Sequence, residues 1–164
     1  MNIFEFAMQM ETDGRNYYLN QAEKTDHPML KKILLEMAND ELKHYNIFKR
    51  LRDGHAAEYK EAKKTTIVSS AKNIFQTMKE EGSEFSSDEN VVNIWAKARE
   101  VEKNAEKFYR EKADETDNGN AKHILNRIAD EEHMHWATID HVISFLNKPD
   151  QFLENAEWSD LESL

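Results

Sequence analysis

Apolar side chains recur at spacings of three and four along four long stretches of this chain. Over 2–25, Ile3, Ala7, Met10, Glu11, Gly14, Tyr17, Tyr18 and Ala22 share one stripe. Over 28–53, Leu30, Ile33, Leu34, Met37, Glu41, His44, Tyr45, Phe48 and Leu51 do the same. That period is the signature of amphipathic helices with one face turned to a core. Asp26 is placed to cap the second helix and Pro28 to occupy its first turn. Gly54 is a natural stop. Ser86 with Glu89 reads as a capping box ahead of a third long helix over 88–117. Asn118 and Gly119 then break the chain, a fourth helix fills 120–147, and Pro149 ends it. Only four Gly and two Pro occur, which suits long helices and little strand.

The pattern repeats. Residues 2–51 laid over 93–142, at a fixed offset of 91 and without gaps, are identical at 14 of 50 positions. Unrelated segments would match at roughly one position in sixteen, so the halves are copies of one unit. Each half reads as a helical hairpin, 2–54 and 88–147, joined by a crossover over 55–87. Ile67 to Lys79 within that crossover form a short helix through Ile67, Ala71, Ile74, Phe75 and Met78. A tail over 148–164 adds a short C-terminal helix that covers the bundle's side through Phe152, Leu153 and Trp158. The expected fold is all-α: one four-helix-bundle domain over 1–164, with a crossover long enough to make helices two and three parallel.

Several polar side chains lie inside these apolar stripes. Glu11 sits on the first helix and Glu102 on the third. Glu41-x-x-His44 sits on the second and Glu132-x-x-His135 on the fourth. A spacing of three puts each Glu and its His on one helix face, one turn apart. The interval from Glu11 to Glu41 is 30 residues, as is that from Glu102 to Glu132. One Glu-x-x-His pair means little and is most often a solvated helix face. Two in register with a repeat, each preceded by a carboxylate on an apolar stripe, do not read that way. Carboxylates inside a bundle cost several kcal/mol each unless paired. Two divalent ions would neutralise four of them. Mixed carboxylate and imidazole ligands favour iron or manganese over soft copper or structural zinc. One Glu from each of two helices, plus Glu-x-x-His from each of two more, is the di-iron carboxylate arrangement. The rival reading is a metal-free scaffold that retains the pattern.

Around the ligand set, Tyr18 and Tyr109 stand seven residues after Glu11 and Glu102, on the same faces. They are candidates to hydrogen-bond a ligand carboxylate or to carry an electron; a plain core Tyr is the alternative. Asp40 and Glu131 precede the two Glu-x-x-His glutamates and are candidates to orient His135 and His44 through ring N–H groups. Gly14 and its counterpart Ala105 lie one turn after Glu11 and Glu102. Close helix packing is the favoured reason for Gly14, an opening for a small oxidant the rival one. His133 reads as surface, and Trp95, Trp136 and Trp158 as packing residues.

These helices resemble those of the rubrerythrins. The likeness rests on AMQMETDGRNYYLNQA with ILLEMANDELKHYNIF, and on AREVEKNAEKFYREKA with ILNRIADEEHMHWATI, and spans about residues 2–147. It implies a ferritin-like four-helix bundle and an oxidoreductase that reduces hydrogen peroxide at a non-haem centre of two iron ions. Manganese and zinc are the alternative metals. Rubrerythrins commonly carry a cysteine-ligated rubredoxin domain, whereas this chain has no Cys; the resemblance therefore implies a separate electron donor such as a rubredoxin. Family members also carry an extra Glu three residues after the third-helix ligand. That place is Ala105 here, beside Glu106, which leaves a symmetric six-ligand set. The rival functions are ferroxidase chemistry with O2 for iron handling, and a redox-silent metal-binding module.

Composition bounds the partners. The formal net charge of -10 repels phosphate backbones, which argues against nucleic acid. The mean hydropathy is -0.86 and no apolar run reaches the length of a membrane span. MNIFEFAMQMETDG has no basic region ahead of an apolar run, as a signal peptide would. With no Cys, the expected location is the cytoplasm. A homodimer is the expected assembly, with the crossover long enough to exchange between chains.

Overall fold

The computed structural model describes residues 2–55, 64–82, 89–155, 158 and 161. Among these the chain is all-α: α1 (Ile3–Lys24), α2 (Pro28–Arg52), α3 (Ile67–Glu81), α4 (Glu89–Glu115), α5 (Gly119–Asn147) and α6 (Pro149–Glu154). The four long helices fall where the period places them. The two short ones occupy the crossover and the tail. Ser86, half of the expected capping box, lies outside the described residues, as do most of the crossover before Lys64 and the last residues of the tail.

The helix ends follow local chemistry. Asn2 opens α1, its side-chain oxygen accepting from the Phe4 N–H at 2.7 Å. Asp26 does not cap α2. The chain turns helical at Pro28, so the residue directly before it takes the position, and His27 Nδ1 accepts from the N–H groups of Met29 and Leu30 at 3.3 and 3.5 Å. Gly54 (φ +78°) and Gly82 (φ +63°) terminate α2 and α3 in the left-handed conformation that glycine adopts without penalty. Asn118 caps α5, its side chain accepting from the Ala121 N–H at 3.1 Å.

Two compact units are distinguished: Met1–Thr65 with Ala105–Glu131, and Thr66–Asn104 with Glu132–Leu164. Helices α4 and α5 contribute to both. In the first unit, α1 packs along α2, and the buried core joins Ala7, Met8 and Phe48 to Tyr109, Ile124, Leu125 and Ile128. Phe48 sits between Phe4 and Tyr109, with ring centroids 6.5 and 5.2 Å away. In the second unit, Phe75 of α3, Phe145 of α5 and Phe152 of α6 close a triangle of rings 4.9 to 6.0 Å apart. Trp158 is buried, donating its indole N–H to the Leu153 carbonyl at 3.4 Å. The aromatic residues of α3 and the tail therefore serve packing. Among the described residues, no helix is long and apolar enough to cross a membrane.

Candidate metal centre

The six acidic and imidazole side chains that interrupt the apolar stripes are all buried. Glu11, Glu102 and Glu132 are each 1% exposed, Glu41 3%, His44 1% and His135 0%. Helix periodicity enforces this, because each occupies a position that would otherwise hold a core Leu or Ile.

In the first unit, Glu11, Glu41 and His44 each turn a ligand atom toward the others, all within 4.8 Å of one another. Glu11 Oε1 accepts the Tyr109 hydroxyl at 2.7 Å. Its other oxygen, Oε2, is buried without a hydrogen bond and lies 3.5 Å from His44 Nδ1. The opposite nitrogen of that ring, Nε2, is 3.1 Å from Glu131 Oε1. A carboxylate accepts only, so this contact places a proton on Nε2 and turns Nδ1 to the Glu11 side, where a metal ion would take its lone pair. A carboxylate behind one ring nitrogen, with the other turned to the cluster, is how a metal-binding histidine is commonly held.

In the second unit, Glu102, Glu132 and His135 likewise place ligand atoms within 4.8 Å of one another. His135 Nδ1 lies 3.3 Å from Glu102 Oε1. The duplication thus reaches the atomic level. In each copy the same ring nitrogen faces the single Glu of the preceding long helix.

These donor sets fit a hard or borderline divalent ion. Two carboxylates and one neutral imidazole offset the charge of one such ion, and the buried Glu11 Oε2 lacks a proton donor that a cation would replace.

Tyr109 and Glu131 touch Glu11 and His44 as described. Tyr18 is buried, with its ring packed edge-on to Tyr17 at 5.9 Å. Asp40 is buried and accepts from the hydroxyl of Thr65 and from Lys43 Nζ, the latter at 3.5 Å. Thr65 was not foreseeable, since it lies 25 residues from Asp40 in a connector with no periodicity. His133 is half-buried rather than a plain surface residue, because its ring stacks on Trp136 at 5.7 Å.

Gly14 differs from its expected reading. A Cβ built there would meet three atoms of one side chain first: Glu41 Oε2 at 3.0 Å, Cδ at 3.6 Å and Cγ at 3.8 Å. The missing side chain leaves room for a carboxylate of the cluster, not for the backbone of another helix.

No curated protein and no solved structure matches the chain. The Rubrerythrin family matches over residues 2–143, the span that contains both candidate ligand sets. The chain therefore belongs to the Rubrerythrin family and is built on its all-α, ferritin-like di-iron carboxylate domain.

Proposed function

We propose that this chain is a non-haem di-iron redox protein that reduces hydrogen peroxide with electrons from a separate donor protein of the rubredoxin kind. Glu11, Glu41 and His44 hold one iron; Glu102, Glu132 and His135 hold the other. The observation that carries this reading is the pair of buried Glu–Glu–His sets in a member of this family. Iron bound there supplies the two electrons that, with two protons, convert one peroxide to two waters.

The chain's own residues do the rest. Burial strips water from the carboxylates, so their charge acts on the bound ion at low local dielectric. Tyr109 fixes one oxygen of Glu11 and leaves the other for the ion. Glu131 fixes the tautomer of His44 and raises the basicity of its ring. Tyr109 also brings a hydroxyl proton to the edge of the cluster, within 2.7 Å of a ligand carboxylate.

The test is rapid mixing of the Fe(II)-loaded protein with H2O2 and, separately, with O2. Oxidation by peroxide at least tenfold faster at equal concentration is the expected result. Faster oxidation by O2 would replace this reading with ferroxidase chemistry. Native protein carrying only zinc would replace it with a redox-silent metal module. A homodimer is the assembly we propose; a hollow particle of many subunits by size-exclusion mass would favour iron storage instead.

A further inference from the structure

We propose that Gly14 is a positioning residue for Glu41, holding open the space in which that carboxylate stands as a metal ligand. The inference rests on the metal-binding reading above and adds a residue that donates no atom to the ion.

Glycine inside a helix costs about 1 kcal/mol relative to alanine. Gly14 lies in the middle of α1, is buried, and has no positive φ; the glycines that do are Gly54 and Gly82. Backbone freedom therefore gives no reason for it. Space does. The three nearest atoms to an added Cβ all belong to Glu41, and the nearest is the carboxylate oxygen Oε2 at 3.0 Å. That is a contact carbon atoms rarely tolerate, and it falls on the chemical group of Glu41 rather than on its stem alone. The obstructed group is the end of a side chain and can swing. A methyl at position 14 is thus expected to leave the fold intact and to displace the Glu41 carboxylate, which offers a ligand atom beside Glu11 and His44. The second half of the repeat has Ala105 in the matching register, so the two copies of the hairpin are not interchangeable at this position.

The experiment compares wild type with Gly14→Ala, each in the Glu41 and the Glu41→Asp backgrounds, using Co(II) alone as probe. Binding is followed by calorimetry and by the Co(II) visible spectrum, and the stability of the metal-free proteins by urea unfolding. Gly14→Ala is expected to weaken Co(II) binding at the affected site about 10- to 100-fold, the range for loss of a ligand's support. The metal-free midpoint should stay the same or rise. In the Glu41→Asp background, where the carboxylate is drawn back by one methylene, the added methyl should have little effect on binding. That non-additivity marks a contact between the two positions. Equal binding and equal spectra for wild type and Gly14→Ala would overturn the positioning role while leaving the metal reading intact. A fall in metal-free stability that accounts for the lost binding would overturn it as well, in favour of packing. Wild type that binds no Co(II) would overturn both.

Discussion

Tyr109 shows how one hydroxyl can be tied to two properties at once. It is fully buried, it packs on Phe48, and its O–H is the proton donor to a carboxylate that is itself 1% exposed. Removing the oxygen removes little packing and leaves Glu11 Oε1 without its donor. Tyr109→Phe should therefore destabilise the metal-free protein by about 1–3 kcal/mol, the cost of stranding a buried polar group. Urea unfolding with and without a divalent ion checks this. The loss should shrink when the ion is bound, because a cation then compensates the same carboxylate. Glu131 makes the complementary case. Its contact with His44 Nε2 at 3.1 Å favours the proton on that nitrogen. Glu131→Ala should weaken divalent-ion binding roughly 10- to 100-fold by titration. Glu131→Gln, which keeps an acceptor oxygen, should weaken it less.

Helix ends and helix contacts set how much of this was legible beforehand. The four long helices were readable because Ile3, Ala7, Glu11 and Tyr18, and their partners at Ile94, Ala98, Glu102 and Tyr109, carry one period twice. The short α3 and α6, outside the repeat, were readable from their own apolar residues, Ile67 and Phe75, Phe152 and Leu153. The candidate ligand residues were visible as polar interruptions of an apolar stripe. What local pattern could not supply was side-chain direction. Nothing in the spacing says that Gly14 clears a path for Glu41, or that Thr65 reaches Asp40, since those contacts join distant segments. The α2 cap was missed by one residue because His is a rarer cap than Asp. Burial lowers the His27 pKa below its ordinary value, outweighing the backbone hydrogen bond that raises it. A group whose folded pKa is depressed contributes stability above its unfolded pKa and loses it as pH falls toward the folded one. The start of α2 should thus weaken as pH drops below about 6.5, where protonated Nδ1 no longer accepts from Met29 and Leu30. His27→Asn should flatten that part of the stability–pH curve, measured as the difference between the two proteins from pH 7.5 to 5. In α3, Phe75→Ala removes a fully buried ring from the triangle with Phe145 and Phe152. It should cost about 3–5 kcal/mol by urea unfolding.

Duplication is the feature that organises the chain. A single hairpin of this sequence contributes two carboxylates and one imidazole at register-matched places, and the second contributes the same set. Each set is buried, and each brings its ligand atoms within 4.8 Å of one another. A bundle that buries so many carboxylates without a counter-charge works against its own stability, because each ionised group has left water. Cation binding reverses the sign of that contribution. At one hundred times the dissociation constant, each bound ion adds about 2.7 kcal/mol by mass action. Loading with Fe(II) or Co(II) without oxygen should therefore raise the unfolding midpoint, and a chelator should return it to the metal-free value. If each copy of the hairpin holds its own ion, the stoichiometry follows the repeat. Wild type should bind two ions per chain by metal analysis after dialysis. Glu11→Ala and Glu102→Ala should each bind one, and each should lose about half of the metal-induced rise in the midpoint. Wild type with a single ion, or variants that keep both, would contradict a ligand set divided equally between the two halves. Loss of both ions from either variant would instead mean that the two sets bind as one unit, so that neither copy of the hairpin holds a metal without the other.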